Sequence, residues 1–386
     1  MMLYPSIVLL LSVSLACWCV TVESATSLST TVQRYNEYTK SQRQKMKLDF
    51  RTISKNANLP KWGCSDFSHI FSALRDVDPS GDKVFIDIGF NKGYQFAYWA
   101  ALWAPEVKMN STYWQQLIIQ AEPQFQNLKK ISHETCGVCS DCKGGIFYFP
   151  YTPPAANAPK LKIIGVDLNR KNIILQTKIQ DALELESSPW TNRIDLQLIN
   201  AGASNFTGQM VVPICAKGDE SCSLQHSRIT RKRMKTVTIV TVDSIISDLK
   251  ATRNVKENSI DMLLIDTEGN DPLVIEGGVN ALRNGLVRCL IFEYHYSGYW
   301  TQTSLHYVTQ RVEEYGYMCY LSGLGALWPL NKGHWHKMYE IRKWSNVFCL
   351  REGDPWFQAI QPFVYHPDRF QCLRTGCVVQ ATLGAE

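Results

Sequence analysis

The sequence predicts an α/β fold in which helices cover both faces of a mostly parallel sheet. Three observations lead to this class. Short apolar, β-branched runs recur along the chain, and helix-like segments lie between most of them. The first run enters a helix through a glycine-bearing turn, which is typical of a βαβ unit. The last two runs, joined by a long loop, predict an antiparallel hairpin at the end of the sheet.

The elements follow in a regular order along the chain. Strands are predicted at 84–88, 162–166, 194–199, 237–242, 260–265, 287–292, 317–321 and 347–350. Helices are predicted at 169–185, 271–284 and 301–315. The segment 105–160 breaks this alternation, and its cysteines and prolines predict a Cys-rich insertion after the first helix of the sheet.

The N-terminus predicts entry into the secretory pathway. Residues 7–22 are apolar or hydroxylated throughout but short for a membrane span, so 1–24 reads as a cleaved signal peptide. Sequons at Asn110 and Asn205 agree with this route. We expect a secreted or lumenal protein with no stable membrane span after cleavage. A short N-terminal anchor in the Golgi or endoplasmic reticulum membrane is the alternative.

Composition indicates a globular protein, and 386 residues allow one large domain with additions or two ordinary domains. The chain is 45% hydrophobic, and a net charge of +5 gives no reason to expect a nucleic-acid partner. We expect an N-terminal helical segment at 25–80, an α/β domain at 81–352 and a C-terminal extension at 353–386. The oligomeric state is left open.

The thirteen cysteines fit an oxidising compartment. Cys136, Cys139 and Cys142 have a spacing that suits zinc or local disulfides, and a lumen favours disulfides. Two other pairs, Cys215 with Cys222 and Cys372 with Cys377, are close enough in sequence to form small loops. The basic run 228–235 is expected to be an exposed loop, with docking of an anionic group or proteolytic processing as alternatives.

Polar residues end several of the predicted strands. Asp266 and Glu268 directly follow the apolar run 260–265, which suggests the carboxyl edge of a parallel sheet, where ligands bind. Asp87, Gly89, Asn91 and Gly93 are assigned to the turn after the first strand, where glycines allow a ligand to approach the backbone. The glycine spacing differs from that of a dinucleotide site.

A second acid has the position of a ribose ligand. In nucleotide folds a carboxylate at the end of the second strand accepts hydrogen bonds from both ribose hydroxyls. Asp167 has this position if the insertion is discounted. Glu122 also follows an apolar run and stays as the alternative, although the strand before Asp167 is richer in β-branched residues.

These segments together resemble the FkbM-type family of S-adenosylmethionine-dependent methyltransferases. The resemblance rests on the order FIDIGFNKG, GVDLN, LINAGASNFTG, VTVDSI, LLIDTEGNDPLVIEGG and CLIFEYH. It covers about 84–351, and the run Asp266 to Gly269 with Asp271, Val274 and Gly277 is its most specific part. It implies a Rossmann-like class I methyltransferase fold with a seven-stranded sheet.

The resemblance also implies a cofactor and the residues that bind it. S-adenosylmethionine would have its methionine part against Asp87, Gly89, Asn91 and Gly93, and its ribose against Asp167. The adenine end would lie near Asn200 and Ala201, and Asp266 would lie beside the sulfonium and the acceptor.

Methyl transfer to a hydroxyl needs alignment and a group that accepts the proton, and the latter contributes about 10²- to 10⁴-fold. Glu268 and His295 are the candidates, followed by Asp266. Glu293 is expected to orient loop N–H groups. The resemblance favours oxygen as the acceptor atom, in a sugar, glycan or other polar metabolite. No metal ligand is assigned at this site.

Two residues differ from the family pattern. Phe90 stands where a small residue usually precedes the asparagine, and Leu264 stands where a lysine is common. A secreted binding protein that keeps the fold without the activity is therefore the alternative function. A nicotinamide-dependent oxidoreductase is disfavoured by the glycine spacing.

Overall fold

The computed structural model describes most of the predicted α/β domain. It covers residues 44, 68–79, 81–123, 160–186, 188–224, 233–253, 260–323, 326–365, 370–373 and 376–379. All the elements below belong to the unit Arg51–Glu386. The predicted signal peptide 1–24, the cysteines at 136, 139 and 142 and most of the basic run lie outside the described residues.

Helices and strands alternate as the sequence predicts. The helices are α1 Ser68–Val77, α2 Tyr94–Trp103, α3 Ser111–Ala121, α4 Arg170–Glu186, α5 Ser188–Arg193, α6 Val242–Arg253, α7 Asp271–Glu276, α8 Val279–Arg283, α9 Leu305–Glu313 and α10 Pro355–Ala359. The strands are β1 Lys83–Ile88, β2 Leu161–Asp167, β3 Ile194–Asn200, β4 Gly202–Ala203, β5 Gly208–Pro213, β6 Met234–Val240, β7 Ile260–Ile265, β8 Val287–Tyr294, β9 Tyr317–Gly323, β10 Ala326–Pro329, β11 Ser345–Arg351, β12 Phe370–Leu373 and β13 Gly376–Val379.

The central sheet is mostly parallel, as predicted, and contains eight strands. Their order is β10-β9-β11-β8-β7-β1-β2-β3. Strands β1, β2, β3, β7 and β8 are parallel, and β11, β9 and β10 add antiparallel pairs at one end. The expected count of seven is wrong because β10 turns back onto β9, where Trp328 lies opposite Leu321. The predicted antiparallel pairing of the last two runs is confirmed as β9 with β11.

Burial explains why the central strands read as continuous apolar runs. Every residue of β1 is buried, and helix α2 is buried over Phe96 to Trp103. Parallel strands covered on both faces lack the alternation of half-exposed strands. Phe85 on β1 packs edge-on against Trp99 and Trp103 of α2, with ring centroids 4.9 Å apart in both pairs. This aromatic layer fixes α2, and hence the turn before it, against the sheet.

One predicted strand belongs to a different sheet. The run 237–242 was expected in the central sheet, but β6 lies between β4 and β5 in a separate three-stranded sheet. Exposed and partly buried residues alternate along most of β6. This pattern suits a ribbon with one solvent-facing side better than a strand covered on both faces.

Two helical assignments also changed. The apolar run before Glu122 is helix α3 and not a strand, because Asn110 caps its first turn and Trp114, Leu117 and Ile118 bury one face. The predicted helix 271–284 is divided into α7 and α8. The break lies at Gly277, where a Cβ atom would come within 2.2 Å of the Ser204 carbonyl oxygen.

The described cysteines form two disulfides. The predicted pair Cys215–Cys222 is confirmed, and Cys319–Cys349 joins β9 to β11 across opposite residues. Cys372 and Cys377 lie opposite each other in the β12–β13 hairpin. Among the described residues, Cys289 is a buried free thiol. In the part of the chain that the structure describes, we find no helix with the length and apolar character of a membrane span.

Candidate active site

The five parallel strands end at one edge of the central sheet. From β1 the sheet continues to β2 and β3 on one side and to β7 and β8 on the other. Open α/β sheets bind ligands outside the carboxyl ends of their strands at such a point. The turns after β1 and β7 meet there, and the Asp266 backbone N–H donates to the Ile88 carbonyl at 2.8 Å. The predicted site residues are therefore gathered along this edge.

The turn after β1 has the left-handed backbone that its glycines permit. Gly89 and Gly93 have φ values of 102° and 73°, and Asn91, at 43°, is a positive-φ residue with a side chain. A Cβ atom on Gly89 would lie 1.7 Å from the Asp266 carbonyl oxygen. Glycine is therefore required at this position by both the dihedral angle and the contact with the turn after β7.

Several hydrogen bonds from neighbouring segments hold this turn in place. Gly89 N–H donates to Val166 O at 2.9 Å, and the Gln176 amide donates to Asn91 O at 3.1 Å. The Trp114 indole donates to Lys92 O at 2.7 Å. The buried Lys92 ammonium forms an ion pair with Glu220 at 2.5 Å, a contact that the sequence did not suggest. The turn is thus fixed before any ligand arrives.

Asp167 links the turn after β1 to the start of α4. One carboxylate oxygen accepts from Asn91 N–H at 2.8 Å and from the Asn172 amide at 3.0 Å, and the other accepts from Asn169 N–H at 2.6 Å. Burial raises the pKa of Asp167, while the hydrogen bonds from Asn172, Asn169 and Asn91 lower it. Three of the roughly four acceptor positions of a carboxylate are used, so one is left for a ligand hydroxyl.

The turn after β3 joins the same network. The Asn200 amide donates to the Asp167 carbonyl at 2.9 Å, and Ala201 N–H donates to it at 3.1 Å. Glu122 has a different role from the one considered for it, since it forms ion pairs with Lys178 and Lys217 at 2.9 and 2.6 Å. The position at the end of β2 belongs to Asp167.

The turn after β7 is held by an acid that the sequence analysis did not assign a role. Asp271 is buried, and its carboxylate accepts from Gly269 N–H at 3.1 Å and Thr267 N–H at 3.4 Å. Glu293 is predicted to orient loop N–H groups, but the Thr267 and Gly269 N–H groups donate to Asp271. Glu268 has a φ of 55°. This left-handed backbone conformation is energetically unfavourable for any residue that carries a side chain. An acid at the first position of the following helix, two residues after Gly269, could have suggested this bonding.

Tight glycine contacts join the turn after β7 to the turn after β8. A Cβ atom on Gly269 would lie 2.7 Å from the Ser297 carbonyl oxygen, and one on Gly298 would lie 2.6 Å from the Gly269 carbonyl oxygen. Tyr299 N–H donates to Gly269 O at 2.7 Å. The two turns therefore form one unit that carries Asp266, Glu268 and the end of β8.

Carboxyl groups are crowded along this edge, and this raises their pKa values. Burial, with Asp266 and Asp167 nearby, raises the pKa of Asp87 well above its usual value. Protein atoms around the cleft desolvate the Asp266 carboxyl and raise its pKa to about 6, although its side chain stays accessible to solvent. Burial, with Asp266 and Asp271 nearby, raises the pKa of Glu268 to about 9. The pKa of Glu293 is raised well above its usual value by burial and by Asp266. The edge therefore suits a cationic ligand.

His295 lies at the same edge, after the end of β8. Burial lowers its pKa to about 4, so the imidazole is neutral at pH 7. Its Nε2 atom lies 3.3 Å from Oε2 of Glu293, and its Nδ1 atom lies 2.7 Å from the Ser297 hydroxyl. The structure thus brings Asp266, Glu268 and His295 to one place, as the sequence predicts for the acceptor end.

The two residues that differ from the family pattern, Phe90 and Leu264, pack into the interior of the fold. Phe90 is buried, and its ring occupies the space beside Gly165 on β2, where a Cβ atom would lie 2.6 Å from the ring. Leu264 packs against the main hydrophobic core. The Phe90 ring therefore fits into the core because the residue facing it on β2 is a glycine.

The sequence of this region matches a model of a known protein family. The methyltransferase FkbM domain matches residues 87–319, more than half of the chain. The chain belongs to the FkbM methyltransferase family. The match begins at Asp87, ends at Cys319 and lies within the predicted α/β domain 81–352. The resemblance expected from the sequence motifs is confirmed, and the fold is that of a methyltransferase domain.

Comparison with solved structures gives one FkbM-type neighbour, the crystal structure of methyltransferase FkbM from Methylobacillus flagellatus KT. The two share 10% sequence identity with a TM-score of 0.31, and the alignment covers 78% of this chain and 60% of that one. This chain thus spans less than two thirds of that structure. No curated protein matches the chain.

Proposed function

We propose that this FkbM-family protein transfers a methyl group from S-adenosylmethionine to a hydroxyl of a sugar, glycan or other polar metabolite in the secretory pathway. The observation that carries the proposal is the convergence of two rigid turns, after β1 and β7, at the point where the sheet order reverses. Asp87, Asp167 and Asp266 line this place. The choice of a hydroxyl oxygen as the methyl acceptor rests on the family resemblance.

The residues present fit a cationic cofactor of this kind. The cofactor would supply a methyl group on a positively charged sulfur, together with an amine and a ribose. Burial and the nearby Asp266 raise the pKa of Asp87, and desolvation raises that of Asp266, so a cationic ligand is favoured beside both acids. Asp167 has an acceptor position left for a ribose hydroxyl, and Gly89, Asn91 and Gly93 present backbone at the methionine end. Asn200 and Ala201 lie where the adenine end would follow.

The acceptor would bind on the side of β7 and β8. Of the three catalytic candidates Asp266, Glu268 and His295, Asp266 is the one exposed to solvent, while His295 is buried. We therefore assign proton acceptance from the acceptor hydroxyl to Asp266, and positioning of the acceptor oxygen to Glu268 and His295. The turns that carry them are locked together at Gly269 and Gly298.

Asp167 provides the sharpest test of the cofactor site. Asp167→Ala is expected to weaken S-adenosylmethionine binding by about 10- to 100-fold, because one hydrogen bond to a carboxylate contributes about 1.5–3 kcal/mol. The measurement is calorimetric titration of the oxidised, full-length mature chain. Asp167→Asn retains an oxygen that can accept from Asn91 N–H, so it tests loss of charge with less disturbance of the turn.

Glu122→Gln is the matched control for this titration. Glu122 is also a buried acid, but Lys178 and Lys217 occupy it, and we expect unchanged cofactor affinity. Equal losses in the Glu122 and Asp167 variants would contradict the assignment. Absence of cofactor binding to the folded wild-type chain would instead favour a binding protein that keeps the fold without the activity.

The secretory part of the proposal predicts a glycan at Asn205. This asparagine is exposed, and its amide donates to Glu276 at 3.1 Å. In a secreting eukaryotic host, Asn205→Gln is expected to remove mass that a peptide N-glycosidase also removes, with a stability change within about 0.5 kcal/mol. Asn110→Gln should instead cost about 1 kcal/mol, because Asn110 caps α3. A secreted wild-type chain without glycosidase-sensitive mass would contradict the prediction.

A further inference from the structure

Three potential metal ligands meet at the acceptor side of the edge. Glu268 follows β7, Glu293 lies on β8, and His295 follows β8, so two neighbouring parallel strands supply them. One potential ligand atom from each residue lies within 4.8 Å of the others. The left-handed backbone at Glu268, fixed by the bonding of Asp271 to the turn, sets where its carboxylate projects.

Two of these side chains are buried and carry a polar atom without a hydrogen bond. Oε2 of Glu293 and Nε2 of His295 have no hydrogen-bond partner among the described residues, and both residues are about 95% buried, at 4% and 5% exposed. The atoms lie 3.3 Å apart. A buried polar atom left unpaired costs about 1–3 kcal/mol. The arrangement therefore calls for a third group that binds both atoms.

Ser297 provides the outer contact that a metal-binding histidine needs. Its hydroxyl oxygen lies 2.7 Å from Nδ1 of His295. The Ser297 backbone N–H donates to Nδ1 at 3.1 Å, so without an ion Nδ1 accepts and Nε2 carries the proton that faces Glu293. Binding of an ion at Nε2 would move this proton to Nδ1, from which it can donate to the Ser297 hydroxyl. Metal-binding histidines are usually oriented by such a bond from the second ring nitrogen.

We propose that Glu268, Glu293 and His295 bind a divalent transition-metal ion, and that this ion holds the oxygen of the methyl acceptor. Two carboxylates with one imidazole favour such an ion over magnesium or calcium, which prefer oxygen ligands alone. Three protein ligands leave coordination positions open for water or substrate, as in catalytic metal sites. The role in acceptor binding rests on the proposed function, whereas the binding of the ion does not.

The ion would give the site a way to activate a weakly acidic hydroxyl. An acceptor hydroxyl bound to it loses its proton more readily, because the ion stabilises the negative charge that remains on oxygen. The O–H bond breaks, the proton passes to the Asp266 carboxylate, and the electron pair stays on the acceptor oxygen. Ile265 on β7 lies opposite Phe292 on β8, so the residues that follow them, Asp266 and Glu293, lie side by side.

The test uses Mn²⁺ and the full-length mature chain after treatment with EDTA. Bound Mn²⁺ loses the six-line electron paramagnetic resonance signal of the free ion, so titration gives a dissociation constant without any activity measurement. We expect one site in the wild type, no detectable site in Glu293→Gln, and binding weakened by about 10- to 100-fold in Ser297→Ala. Glu122→Gln, which neutralises a buried acid elsewhere, should bind Mn²⁺ as the wild type does. Near-ultraviolet circular dichroism verifies that each variant is folded.

Two results would overturn the inference. One is a wild-type chain that does not bind Mn²⁺. The other is a folded Glu293→Gln chain that binds it with unchanged affinity. Calorimetric titration with S-adenosylmethionine in EDTA separates this failure from that of the proposed function. Cofactor binding without Mn²⁺ binding would leave the methyltransferase proposal standing, and Mn²⁺ binding without cofactor binding would leave the metal site standing alone.

Discussion

Gly89→Ala is expected to destabilise the protein by more than about 4 kcal/mol and to abolish cofactor binding. The new Cβ atom would lie 1.7 Å from the Asp266 carbonyl oxygen and 2.8 Å from its carbonyl carbon. The strand ends cannot separate easily, because Asp266 N–H is bonded to Ile88 O. Since the two turns hold both halves of the candidate site, the substitution removes structure and binding together.

Gly81→Ala is the matched control for this substitution. Gly81 also has a positive φ, 82°, but a Cβ atom there would meet no atom within 4 Å. It isolates the cost of the left-handed backbone, which is about 1–2 kcal/mol. Chemical denaturation followed by circular dichroism compares the two. Equal stabilities for the two variants would show that the contact between the turns has no energetic weight.

Arg288→Met is expected to cost about 3–5 kcal/mol, because it leaves three carboxylates without their shared cation. Arg288 on β8 forms a two-pronged pair with Asp354 at 2.8 and 2.9 Å. It also bonds to Asp78 at 2.5 Å and Asp261 at 2.8 Å. Its guanidinium lies 4.3 Å from the ring centre of Trp356. One side chain thus ties the start of β8 to the segments around α1, β7 and α10.

Arg311→Met is the control, because Arg311 pairs with Glu314 on an exposed helix surface. Its loss should cost no more than about 1 kcal/mol. Guanidinium denaturation gives both values, and a cost for Arg288→Met as small as for Arg311→Met would contradict the prediction.

The effect of Arg288→Met should also depend on pH. Burial works to raise the pKa of Asp78, but hydrogen bonds from Arg288 and Lys83 lower it overall below 3.8. A lowered folded-state pKa contributes stability above the unfolded value and loses it as the pH falls through the folded value. The difference in the free energy of unfolding between the wild type and Arg288→Met should therefore become smaller as the pH is lowered.

The placement of the site was predictable because parallel strands share an edge. Asp167 and Asn200 end apolar runs, Asp266 follows one, and Asp87 is the next-to-last residue of β1. Parallel strands end at the same edge of the sheet. The turn chemistry was also local, since glycines and an asparagine at 89–93 predict left-handed backbone. These features are encoded by residues close to one another in the chain.

The sequence predicted that β9 pairs with β11, but it did not give the register of that pair or the neighbours of β6 and β10. Cys319 and Cys349 are 30 residues apart, and only the β9–β11 pairing brings them opposite each other. The run 237–242 and strand β10 show the same limit, because periodicity reports burial and does not name the neighbouring strand. The apolar run before Glu122, considered as the alternative to the strand before Asp167, is a helix, because a short apolar run fits a helix as well as a strand.

The sequence by itself determined the fold class, the family and the edge on which the candidate site lies. Only the tertiary structure decided how the acids at that edge are used. In the folded chain Asp271 accepts hydrogen bonds from loop N–H groups, and Asp167 accepts them from Asn91 and Asn172. Glu293 instead lies beside His295. The reason is physical: an acid's residue type fixes its charge, but its hydrogen-bond partners, burial and pKa depend on segments that meet only when the chain folds.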